Sequence, residues 1–177
     1  MRGIILLDNY FEDTEALTTI DVLKRAGIGI DLVNLSKNQV LTTQCGNRII
    51  VEKMFNESRD VYNYDFLVVP GGRAVMNSLY NDKRVFAAIH KYTMDNKLVA
   101  LICAAPILAR NFLDDKEFTC FPGFEDKLNG KHVDKGVVRS ENFITAKSMY
   151  YTIDFALEIV KYLTNNDTLV ESLKGNR

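Results

Sequence analysis

Short apolar runs alternate with amphipathic stretches along the whole chain. Residues 3–7 carry no polar side chain until Asp8, which predicts a buried strand. Over 12–26, Ala16, Leu17, Ile20 and Leu23 recur at helical spacing, and Gly27 follows as a helix stop. Residues 28–35 predict a second strand. The segments 40–43 and 48–54 predict a hairpin-like excursion around Cys45-Gly46-Asn47. Residues 65–69 predict a strand ended by Pro70-Gly71-Gly72, ahead of a helix over 82–96. Residues 98–102 predict another strand, broken at Cys103 and followed by a helix over 106–112. A late strand is predicted at 143–145. A helix over 151–163 follows, with Ile153, Ala156, Leu157, Val160 and Leu163 at helical spacing.

Strands that are almost continuously apolar, each followed by a helix, imply a parallel sheet covered on both faces. Right-handed crossovers then give an α/β fold: a doubly wound, mostly parallel sheet sandwiched by helices, flavodoxin-like in outline. No repeat, low-complexity tract or linker divides the chain, so residues 1–177 are expected to form a single domain. In such sheets sites form at the carboxyl ends of the strands.

Composition narrows the function classes. The 177 residues are 47% hydrophobic and 25% charged, the balance of a folded protein. Against 22 Lys and Arg stand 23 Asp and Glu, and the net charge of -1 gives no electrostatic reason for nucleic acid or an anionic membrane as partner. Three cysteines form no disulfide framework and fit a reducing compartment. The first apolar run is too short for a signal peptide, and far short of the roughly 20 residues of a membrane span. A cytoplasmic protein is therefore expected, in which the sequons at Asn56 and Asn166 carry little meaning. Neither a Walker loop nor a G-x-G-x-x-G fingerprint points to a nucleotide. No Cys or His pair has the spacing of metal ligands.

Three strand ends carry candidate chemistry. In Val99-Ala-Leu-Ile-Cys103-Ala104-Ala105-Pro106 a buried strand runs straight into a predicted helix. Small residues after the cysteine allow the tight turn of a nucleophile elbow, and a helix amino end would lower the thiol pKa. A free cysteine packed at a strand end reads the same way. The glycines of Pro70-Gly71-Gly72 allow backbone N–H groups to approach a ligand or an oxyanion, or they simply make a turn. Glu12-Asp13-Thr14-Glu15 suits a helix start on a solvated surface. Yet Glu15 directly precedes Ala16 and Leu17, a position from which its carboxyl could turn inward toward a thiol.

These segments also carry a family resemblance. Phe11-Glu-Asp-Thr-Glu15, Asp21-Val-Leu-Lys-Arg-Ala-Gly27, Val68-Val-Pro-Gly-Gly72, Ala100-Leu-Ile-Cys-Ala-Ala-Pro106 and Asp154-Phe-Ala-Leu-Glu-Ile-Val160 together resemble the DJ-1/PfpI (ThiJ) superfamily, in its DJ-1-like branch. The resemblance implies that Cys103 is the elbow cysteine and that Glu15 is a protonated acid hydrogen-bonded to its sulfur. Gly72 and Ala104 match positions whose backbone N–H groups point at a small oxyanion pocket. It further implies a homodimer that needs no cofactor. Its activities would be turnover of small reactive aldehydes (glyoxalase or deglycase type), oxidative-stress sensing through the cysteine, chaperone action or, in the other branch, peptidase action.

Departures from the family pattern shape the expected function. Ala104 stands where the peptidase branch has a His after the nucleophile, which excludes a dyad of neighbouring residues. Phe121 stands where DJ-1-like members often carry a pocket His. His90 and His132 read as surface or structural residues. In Ala146-Lys147-Ser148-Met149, Lys147 keeps a cation but lacks the planar fork of Arg. Gly71, Phe121 and Lys147 are the expected pocket residues. Cys45 reads as a half-buried structural residue, with an interface or an exposed redox-sensitive site as the alternative, and Cys120 as a thiol near the pocket that could resolve Cys103. The leading expectation is a cysteine-dependent protein acting on a small-molecule electrophile or responding to peroxide. The alternatives are a non-catalytic redox-sensing dimeric chaperone or regulator, and an intracellular cysteine peptidase or amidase.

Overall fold

Six strands make the central sheet of the computed structural model, which describes residues 1–55 and 59–176. The sequon at Asn56 lies outside the described residues. In chain order the elements are β1 (Arg2–Leu7), α1 (Asp13–Arg25), β2 (Gly29–Asn34), and a hairpin of β3 (Val40–Thr42) with β4 (Arg48–Ile50). Next come β5 (Phe66–Val69), a short α2 (Ala74–Asn77), α3 (Lys83–Met94) and β6 (Leu98–Ile102). The chain continues through β7 (Glu117–Phe118), β8 (Lys131–His132), β9 (Val137–Ser140), β10 (Phe143–Ala146), α4 (Thr152–Thr164) and α5 (Asp167–Leu173).

The sheet order is β2-β1-β5-β6-β10-β9, parallel throughout except for the antiparallel edge strand β9. Ile5 pairs with Leu32 on one side and Val68 on the other, and Val68 in turn pairs with Ala100. All residues of β5 and β6 are buried, which is why these strands read as unbroken apolar runs. From β1 the chain crosses outward to β2, and from β5 it crosses the other way to β6. With right-handed crossovers, α1 and α3 therefore cover opposite faces. α4 packs on α1, beneath β10. The doubly wound, mostly parallel architecture expected from the alternation is the one formed, and the order reverses between β1 and β5.

Several local expectations change. The segment after Cys103 is a 3-10 turn, Ala105–Ala109, instead of an α-helix. Leu17 is 44% exposed and Ile153 58% exposed, so neither belongs to the core stripe of its helix. On α4 the expected Ala156, Leu157 and Val160 are buried, joined by Phe155 and Ile159. The helix predicted over 82–96 starts later, because the Asp82 side chain accepts a hydrogen bond from the Arg84 N–H (2.8 Å) and caps α3. Asp82→Ala removes that cap and an ion pair with Arg84. A loss of about 1 kcal/mol in unfolding free energy is expected by urea titration, and an unchanged midpoint would refute the capping role.

Candidate functional site

The carboxyl ends of β1, β5 and β6 lie side by side at the reversal of strand order, and each contributes one part of the site. β6 delivers Cys103. Its backbone is left-handed (φ 63°), a strained conformation for a residue with a side chain. Two hydrogen bonds clamp it there: Cys103 N–H donates to the Ala146 carbonyl (2.8 Å), and the Cys103 carbonyl accepts from Phe121 N–H (2.8 Å). This is the sharp turn of an elbow, and it leaves the thiol half-buried.

β5 delivers Gly71 and Gly72. Gly71 N–H donates to Glu15 Oε2 (2.7 Å), and its carbonyl accepts from Glu12 N–H (3.1 Å). Gly72 has φ 92° and bridges to Phe11, with so little room that a Cβ would lie 2.4 Å from the Tyr10 carbonyl oxygen. Only glycine fits both the torsion and the space.

β1 leads into α1, whose start is set by Glu12. Its side chain accepts from Glu15 N–H (2.6 Å), which completes the first turn and places Glu15 one residue into the sheet-facing side. Glu15 is 1% exposed. Its carboxyl acts on the Cys103 thiol, and among the described residues its buried Oε1 has no hydrogen-bond partner.

The electrostatics of this pair follow from burial. Desolvation holds the Glu15 carboxyl up at about 7, against the Gly71 N–H bond, which favours the ionised form. Desolvation also pushes the Cys103 thiol well above its ordinary range, followed by the charge and the hydrogen bond of Glu15. The N–H groups of Ala104 and Gly72 oppose that rise by pointing at the sulfur. The helix-dipole lowering expected from the sequence is absent, because a five-residue 3-10 turn replaces the helix. Two such groups titrate as one unit. With the proton on the carboxyl, Glu15 loses its charge, which removes the repulsion, and its O–H can donate to sulfur, so the hydrogen bond then favours the thiolate.

Above Cys103 opens a cleft of about 280 Å³. Ala104, Met76, Phe121 and Phe124 form its apolar walls, with Gln44, Arg73 and Asn77 at its polar side. Phe121 thus lines the site, and Gly71 supports it from below against Cys103 and Glu15. Lys147 is not brought there. It pairs with Asp134 and lines a separate cavity with Cys120, Glu125 and His132. Cys120 is buried, its thiol pushed up to about 12 by desolvation and then by the Glu125 charge, and it lines that second cavity. Cys45 is exposed, contrary to the half-buried expectation. His90 packs between Phe86 and Phe112, away from the thiol.

Sequence reasoning missed Gln44, Arg73, Met76, Asn77 and Phe124. A cation directly after the Gly-Gly turn was the one signal available for Arg73. The donor atoms of Glu12, Asp13 and Cys45 lie within 4.8 Å of one another. Glu12 is engaged in capping α1, and Asp13 accepts from Thr43 Oγ1 and Asn47 Nδ2, so these groups serve the local fold. Clefts of about 450 and 430 Å³ lie near α4 and near Asp31, and neither holds a thiol. Among the described residues, no helix is long and apolar enough to cross a membrane.

Comparison with known proteins agrees with the fold. An uncharacterized protein of Methanocaldococcus jannaschii is 30% identical over 93% of this chain and 82% of its own. Protein dj-1beta of Drosophila melanogaster is 28% identical over 98% of this chain and 95% of its own length. The crystal structure of Drosophila DJ-1beta superposes with a TM-score of 0.89 at 26% identity, covering 98% of this chain and 96% of that one. The model of the DJ-1/PfpI family matches residues 1–162, and the chain belongs to that family.

Proposed function

We propose that Cys103 is a nucleophile toward the carbonyl carbon of small reactive aldehydes, with Glu15 as its proton donor. The observation that carries this reading is a half-buried thiol paired with a buried carboxyl beneath an open cleft, with Cys103 held in a strained turn. In the reacting form Glu15 is neutral and Cys103 is a thiolate. The sulfur lone pair forms the S–C bond and the carbonyl π pair moves to oxygen. The N–H groups of Gly72 and Ala104 receive that oxyanion, and the Glu15 proton neutralises it, leaving a thiohemiacetal and a carboxylate. Methylglyoxal is the test substrate. The wild type should consume it, and Cys103→Ser should fall to the uncatalysed rate. Equal rates with and without wild-type protein reject the enzymatic reading.

A second reading uses the same thiol as a peroxide sensor, and the positions of the histidines favour it. His90 and His132 both lie outside the Cys103 cleft, so no imidazole is at hand for later proton transfers. In this chemistry the thiolate attacks one peroxide oxygen, the O–O bond breaks, and sulfenic acid forms with release of hydroxide. Intact mass after limiting peroxide should show oxygen added at Cys103, and addition at Cys45 alone rejects sensing. A peptidase is less well supported, because Ala104 leaves no adjacent base. A homodimer belongs to the same proposal, supported by the exposed apolar side chains of Leu17, Val40 and Ile50, and a reducing compartment is supported by three free cysteines.

A further inference from the structure

Among the described residues lining the Cys103 cleft, Arg73 is the only charged one. No carboxylate pairs with it among the described residues. Its position is nevertheless built. Arg73 N–H donates to Gln44 Oε1 (2.7 Å), and one terminal guanidinium nitrogen donates to the Gln44 carbonyl (3.3 Å). The guanidinium carbon stands 4.9 Å from the centre of the Tyr10 ring, a cation–π distance. Tyr10 itself is held left-handed (φ 68°), its N–H donating to the Thr42 carbonyl (2.7 Å) and its carbonyl accepting from Ala74 N–H (3.1 Å). A strained tyrosine and a half-buried glutamine thus orient an arginine whose remaining donors have no partner among the described residues. Met76 and Phe121 line the same cleft as that fork and the sulfur, and their apolar side chains suit a short carbon chain.

We propose that Arg73 selects anionic substrates for this site: aldehydes whose carbonyl reaches Cys103 while a carboxylate on the same molecule binds the guanidinium. The assignment rests on the reading of Cys103 as a reactive thiol. It adds the substrate class, because a planar fork recognises a carboxylate through paired N–H···O bonds that a neutral aldehyde cannot make.

Two alkylating reagents of nearly equal size test it. Iodoacetate carries a carboxylate and iodoacetamide does not, so their rate ratio at Cys103, read by peptide mass, reports anion attraction separately from thiol reactivity. In Arg73→Gln the ratio should fall roughly tenfold, and Arg73→Lys should restore part of it. In a second arm, 4-oxobutanoate should protect wild-type Cys103 from iodoacetamide at lower concentration than butanal, and Arg73→Gln should abolish that difference. Brisk iodoacetamide reaction with a ratio unmoved by Arg73→Gln, or equal protection by the two aldehydes in the wild type, overturns the role of Arg73 alone. Cys103 reacting no faster than free cysteine with iodoacetamide refutes the reading beneath it, and the proposal with it.

Discussion

Gly71→Ala should lose at least tenfold in the iodoacetamide reactivity of Cys103 while remaining folded. The added methyl would stand 2.6 Å from Cys103 Cβ, 2.7 Å from Glu15 Oε2 and 3.0 Å from Cys103 Sγ. None of these is the free end of a mobile side chain. The Cys103 Cβ is fixed by the elbow, and Oε2 is fixed by the Gly71 N–H itself. The methyl therefore acts as a wedge between thiol and carboxyl. The backbone at this position is not left-handed, so Ala adds bulk without torsional strain. Overpacking of this kind costs about 1–3 kcal/mol, which a urea titration reads as a lower midpoint at unchanged slope. A variant with wild-type stability and wild-type alkylation would show that close packing at Gly71 does not hold the pair together.

The parts of this site were legible in the sequence to different degrees, for physical reasons. Parallel strands buried on both faces must be apolar at every position, so Leu98–Ile102 could be read to the residue. The turn at Cys103 could be read because a sharp exit from a strand needs small neighbours, and Ala104 and Ala105 supply them. The inward turn of Glu15 followed from its place just ahead of the buried Ala16. Edge strand β9 escaped notice. Its Val-Val-Arg-Ser sequence is only partly buried and leaves no apolar run. Leu17 and Ile153 fit the core stripe by spacing yet are exposed, because periodicity cannot separate a surface apolar residue from a buried one. The cleft walls were the least legible part. Gln44 comes from the β3–β4 turn, Met76 from α2 and Phe124 from a loop after β7, so only the folded chain brings them together. Lys147 shows the reverse case. It adjoins Ala146, whose carbonyl clamps Cys103, yet its side chain points to Asp134 in another cavity.

Glu15→Gln should flatten a pH dependence of stability that the wild type carries between about pH 4.5 and 7. The sign follows from proton binding. Unfolded, the carboxyl ionises near its ordinary value, whereas folded it holds its proton up to about 7 because burial penalises the charge. The folded chain therefore binds more protons in that window. Stability is greatest below it and declines as pH rises, by about 3 kcal/mol for a shift of this size, then levels off. Asp31, held down at about 2 by Lys53, Tyr64 and Arg2 against its desolvation, changes stability only in stronger acid and leaves the window clear. Glu12, also raised, remains in both proteins, so the difference between wild type and variant isolates position 15. Urea midpoints at pH 4.5 and pH 8 supply the measurement, and parallel curves for the two proteins would show that Glu15 does not titrate there. Alkylation then identifies the atom that loses the proton. If the carboxyl keeps it and donates to sulfur, wild-type Cys103 gains reactivity through pH 7, and Glu15→Gln loses that inflection because its thiol must titrate alone in a buried site. A wild-type stability change near pH 7 without any rise in alkylation would place the charge on oxygen. The sulfur would then be an unreactive thiol, and the proposed nucleophile would be excluded.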